Sequence, residues 1–136
     1  MPYETFEHTA DLGLRVWADD IATVFVDAAR GLFSMIVELD SVQPRESIEL
    51  AIEGEVSDLL LFDWLNELLY HYEVQHLLLC RFEVTIGEQG LKATAGGEPI
   101  DAERHVLDHE VKAITYHGLK LERQGARWLA EVIVDI

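Results

Sequence analysis

The chain has one cysteine, Cys80, among 136 residues. An internal disulfide and a CxxC redox or zinc motif are therefore excluded. A chain of this length buries roughly two-thirds of its unfolded surface and folds without such staples. Cations are also scarce, with 10 Lys and Arg against 26 Asp and Glu, a formal charge of −16. Binding a nucleic-acid backbone takes clustered Lys and Arg to neutralise phosphates. No stretch supplies them, so direct nucleic-acid binding is not expected. No uncharged apolar run reaches the roughly 18 residues of a membrane span, and no signal-peptide pattern opens the chain. A cytoplasmic, soluble protein is expected. GxxxxGK[ST], GxGxxG after a strand, GxSxG and HExxH are all missing. No repeat, low-complexity tract or linker interrupts the chain, and residues 1–136 are expected to form one domain. The acidic surface suits a basic protein partner, a cation, or solubility alone.

The hydropathy pattern is regular. Leu12, Leu14 and Val16 alternate, which predicts a strand over 12–18. Asp19 and Asp20 offer caps to a helix over 20–37, marked by Ile21, Val24, Phe25, Ala28, Leu32 and Ile36 at helical spacing. Ile48, Leu50 and Ile52 predict a second strand. Ser57 then caps a helix over 58–74, with Leu61, Trp64, Leu65 and Leu68 on its apolar face. Two hairpins follow, 77–87 with 90–97 around "GEQG", and 110–123 with 127–135 around "RQGAR". Gly96-Gly97, ahead of a Pro-containing loop, reads as a turn. The order β-α-β-α-β-β-β-β predicts an α+β fold, two helices on one face of a largely antiparallel sheet.

Several polar clusters stand out. Asp63, Glu67 and His71 form one stripe on the second helix, which reads as its solvated face. His105, Asp108, His109 and Glu110 crowd one loop, and His-x3-His is a weak zinc pattern. Cys80, in "LLLCRF", reads as a buried structural thiol. Lys112 is a rare cation in the apolar run "EVKAITYHG", where it either faces outward or pairs with a carboxylate.

The segment "FEHTADLG" places Glu7, His8 and Asp11 at the mouth of the first strand. Alternation puts Asp11 on the side of Arg15, away from Leu12, Leu14 and Val16. At the other end, "RWLAEVIVDI" alternates up to Ile136, whose α-carboxylate would stand beside Asp135. Should this end meet Asp11, three carboxylates would crowd together. Two unit charges about 4 Å apart repel by roughly 4 kcal/mol at an effective dielectric near 20. Such a cluster takes up a proton or a cation. An all-oxygen set favours hard cations such as Ca²⁺ or Mg²⁺.

These segments carry a resemblance. "FEHTADLGLRVWADDIATVFVDAARGLFSMIVE", "DLLLFDWLNELLYHYEVQ", "EVKAITYHGLKLE" and the closing Trp128-to-Ile136 stretch resemble, in order, the motifs of the archease family. The resemblance implies an accessory protein of the RtcB-type tRNA-splicing RNA ligase. Such a protein promotes guanylylation of the ligase and its multiple turnover and has no catalytic activity of its own. It also implies a metal site of Asp11, Asp135 and Ile136, most often holding calcium, with magnesium or manganese possible. His8 and Lys112 fall within the family motifs and could support that site. Two rival readings remain: a stand-alone metal-dependent phosphoester hydrolase with His8 as general base, and an acidic chaperone-like adaptor with a purely structural metal.

Overall fold

A computed structural model of the chain describes residues 3–8 and 11–136. The alternation of Leu12, Leu14 and Val16 builds strand β2 (Asp11–Ala18), with Leu14 and Val16 buried. Strand β1 (Tyr3–His8) pairs antiparallel on one side of it and β7 (Arg127–Asp135) on the other. Beyond β7 lies β6 (Ala113–Gln124), giving the order β1-β2-β7-β6. A second antiparallel sheet has the order β3-β5-β4, from β3 (Glu46–Glu53), β4 (Leu77–Gly87) and β5 (Gly90–Pro99).

Two helices join the sheets. Helix α1 (Ile21–Ile36) starts at Asp20, whose carboxylate accepts from the Thr23 N–H at 2.9 Å. It packs on β2 of one sheet and β4 of the other. Helix α2 (Asp58–Gln75) is capped by Ser57 and ends at His76, which takes a left-handed conformation. It lies against β6, β4 and β3. Trp64 is wholly buried, and its indole N–H donates to the Phe25 carbonyl at 2.9 Å, tying α2 to α1. Gly31 lets α1 settle onto β2, because a methyl group there would overlap the Leu14 side chain.

The expected α+β class, the two helices and the antiparallel strands are all present. The structure adds β1 ahead of the first expected strand and divides the strands between two sheets. Gly96-Gly97 is not a turn. Both glycines lie within β5, and a side chain at Gly97 would collide with the Leu78 carbonyl of β4. That close approach accompanies a bulge at Cys80, which has no partner between the Leu79–Gly97 and Arg81–Gly96 pairs. The Cys80 carbonyl accepts instead from the Arg30 guanidinium at 2.9 Å. The thiol is half-buried rather than fully buried, and its burial pushes its pKa up.

Strand β6 begins at Ala113, so the preceding loop is longer than the hairpin pattern implied. That loop docks on the end of α1. The Asp108 and His109 N–H groups donate to the Ile36 and Met35 carbonyls at 2.8 and 2.9 Å, satisfying acceptors that a helix terminus leaves open.

Candidate metal centre

The register of the first sheet decides which polar residues meet. Asp11 stands directly opposite Asp135, with His8 opposite Asp11 on one flank and Ala113 opposite Asp135 on the other. Residues opposed in this way share one face of the sheet, with Cα atoms about 4.5–5.5 Å apart. The two aspartates therefore lie side by side on the face turned away from Leu12 and Val134. Like charges directly opposite destabilise a ladder, so the arrangement favours a compensating positive charge. The side chain of His8 lies outside the described residues.

Neighbouring rows explain why this edge is orderly. Two residues along, Gly13 has no side chain because the Phe6 ring lies across it. Further along, Arg15 donates to Glu131 at 2.8 Å and to Glu4 at 2.5 Å, and its guanidinium covers Phe6 at 4.8 Å from the ring centre. Those carboxylates, Glu131 foremost, raise the Arg15 pKa. Arg15 is thus committed to its own row, about 13 Å from Asp11 along the strand.

The end of β7 is held from both sides. Val132 and Val134 are buried, and the Ile136 side chain packs against the core. Lys112 sits just before β6, not within it, and its main-chain N–H donates to the Asp135 carbonyl at 2.7 Å. Its side chain is exposed beside a groove of about 380 Å³ that Tyr72, Glu73, His76 and Glu110 also line. Among the described residues, no three His, Cys, Asp or Glu side chains gather into a group able to hold a metal. A metal held at Asp11 and Asp135 would therefore take a donor of another kind as well. A main-chain carboxyl group at Ile136 would fit, and the resulting all-oxygen set suits a hard cation.

The other polar clusters take different roles. Asp63 and Glu67 stay on the surface of α2, with Glu67 at 3.6 Å from His71. The loop cluster is split, since His105 is buried while Asp108 and His109 are exposed. The His105 Nδ1 accepts from the Asp101 N–H at 2.9 Å, so the ring proton sits on Nε2 and donates to Glu98 at 3.0 Å. Glu98, only 2% exposed, also accepts two bonds from Arg104 and one from the Gln43 N–H at 2.6 Å. The Arg104 guanidinium, more than any other neighbour, holds the Glu98 carboxyl far below the usual range. Sequence reasoning passed over Glu98. Its one visible signal was an acid within the small-residue run "ATAGGEP".

Over residues 3–136 the chain matches the Archease protein family (MTH1598/TM1083). The chain belongs to the archease family. The archease of Methanopyrus kandleri is 46% identical over 140 residues, covering 100% of both chains. That of Pyrococcus abyssi is 42% identical, covering 98% of each. The solution structure of Methanobacterium thermoautotrophicum protein 1598 superposes with a TM-score of 0.88 at 34% identity, over 99% of both chains. The crystal structure of a Thermotoga maritima archease, described as a possible chaperone, shares the fold at a TM-score of 0.66, 24% identity and 98% of this chain. No helix among the described residues is long and apolar enough to cross a membrane.

Proposed function

We propose that this chain is a cytoplasmic accessory protein of an RtcB-type tRNA-splicing RNA ligase. It promotes GTP-dependent guanylylation of the ligase and its multiple turnover without catalysing a reaction itself. The observation that carries this reading is the opposition of Asp11 and Asp135, in a chain that belongs to the archease family. Asp11, Asp135 and the main-chain carboxyl of Ile136 would hold one hard divalent cation, most naturally Ca²⁺, with Mg²⁺ or Mn²⁺ as substitutes. Such a cation supplies positive charge for phosphate oxygens. The chain's own residues set its place. Asp11 and Asp135 orient the donors, the Lys112 N–H holds the Asp135 main chain, and the charge of −16 draws the protein toward a cationic active site. His8 and Lys112 would support the edge from either flank, Lys112 through its main chain.

The test is ligation with RNA in excess over ligase, with and without this protein. Repeated turnover that appears only with the protein, and is lost with Asp135→Ala, is expected. Equal turnover without the protein would remove the reading.

One second reading has an observation behind it. The Thermotoga maritima relative is described as a possible chaperone, and an acidic adaptor with a purely structural metal would share its fold and charge. In that case folded Asp11 and Asp135 variants would keep full activity, while added salt would abolish it.

A further inference from the structure

The outward side of α2 is more than a polar face. Leu59, Tyr70 and Val74 are 51%, 52% and 56% exposed, and at about 100° per residue they fall on one stripe with Asp63 and Asn66. Beside Leu59, Phe62 stacks on Tyr116, with ring centroids 4.0 Å apart and planes 18° from parallel. Tyr116 is 62% exposed. It stands on a bulge, where the β6 register slips between Thr115 and Lys120 and Gly118 takes a φ of +70°. The extra residues lift the ring out of the ladder and set it against the helix. From Leu59 to Val74 the stripe rises about 22 Å, the form in which a helix lies in an apolar groove.

The rim of this stripe selects its occupant. Segment 58–75 carries Asp58, Asp63, Glu67 and Glu73 and no Lys or Arg. A second copy of a chain at −16 would meet like charge there. A groove with an apolar floor and a Lys- and Arg-rich rim would be complementary. The stripe also leads to the candidate metal centre. The end of α2 shares its groove with Lys112, whose N–H is bonded to the Asp135 carbonyl.

We propose that Leu59, Tyr70, Val74 and the Phe62–Tyr116 pair are the docking surface for a protein partner whose apolar groove is rimmed by basic residues. The proposal rests on the accessory reading above, with the RNA ligase as that partner. The partner would cover the open side of α2 and the Tyr116 bulge of β6.

The test measures binding of the full chain to purified ligase by calorimetry, alongside Ca²⁺ titration and the ligation assay. Tyr70→Ala/Val74→Ala, confirmed as folded by its thermal melt, should weaken binding about tenfold or more while Ca²⁺ affinity is unchanged. Asp63→Asn/Glu67→Gln should slow association and flatten its salt dependence. If the wild-type chain stimulates ligation and the Tyr70/Val74 variant binds as tightly, the docking surface is refuted and the accessory reading stands. If the wild-type chain neither binds nor stimulates, both fall. If the substitutions instead dissolve a self-associated form in sedimentation runs, the face joins copies of this chain and the proposal is overturned.

Discussion

Replacing Glu98 with glutamine would leave the shape of the buried network intact and remove its charge. Four donors converge on this carboxylate: two from Arg104, one from His105 and one from the Gln43 main chain. An amide oxygen placed at the Oε2 position retains three of them, and the amide nitrogen then faces an Arg104 N–H. The His105 and Gln43 bonds fall from charge-assisted to neutral, a loss of about 1 kcal/mol each. Arg104 stands partly in water, so screening makes its share small. Glu98→Gln should therefore cost about 2 kcal/mol, and a melting temperature lower by roughly 8 °C for a domain of this size.

The pH dependence gives a second, independent readout. The folded pKa of Glu98 is depressed, so its contribution is fully present above the unfolded value of about 4.3. It is lost as pH falls from there toward the depressed folded value. Urea unfolding followed by circular dichroism at pH 7 and pH 3 would show this. The wild-type chain should lose stability between those conditions by clearly more than the variant. A variant within about 0.5 kcal/mol of wild type at pH 7, with the same acid limb, would refute the reasoning.

Asp135→Asn should abolish Ca²⁺ binding in calorimetry and leave metal-free stability unchanged or higher, since like charges opposed across a ladder repel; lowered metal-free stability would contradict that account. Gly31→Ala should destabilise the chain despite the usual helical preference of about 1 kcal/mol for alanine. The new methyl meets the buried Leu14 side chain, and overpacking costs about 1–3 kcal/mol, so a rise in the denaturation midpoint would overturn the packing argument. Cys80 should react with a thiol reagent at neutral pH far more slowly than a free thiol, because burial raises its pKa; denaturant should restore the rate, and equal rates with and without it would disprove this.

The parts of the molecule legible in the sequence are those governed by local period. Leu12, Leu14 and Val16 declare a half-buried strand, and Ser57 with Leu61 and Leu65 declares a capped helix. β1 stayed hidden because "YETFEH" is an edge strand with polar residues on both faces, so its alternation carries little apolar signal. The two-sheet division was equally hidden, since β2 pairs with β7 from the far end of the chain and no local pattern encodes a long-range partner. The candidate site was half legible. Strand alternation placed Asp11 off the core, yet only the register set it against Asp135. The weak zinc pattern of His105 and His109 has a plain structural outcome: the Asp101 N–H and Glu98 take up both His105 ring nitrogens.

The central place of β7 in its sheet has a consequence for synthesis. The ribosome makes β7 after every other strand, yet β7 is the piece that joins β2 to β6. Until it emerges, β2 carries an unfilled edge, which can template unwanted pairing. The first sheet must therefore close after translation of the rest, across nearly the greatest sequence separation the chain offers, a topology that slows folding. The two aspartates become neighbours only at that final step, so a chain that stopped short of β7 would never bring Asp11 and Asp135 together.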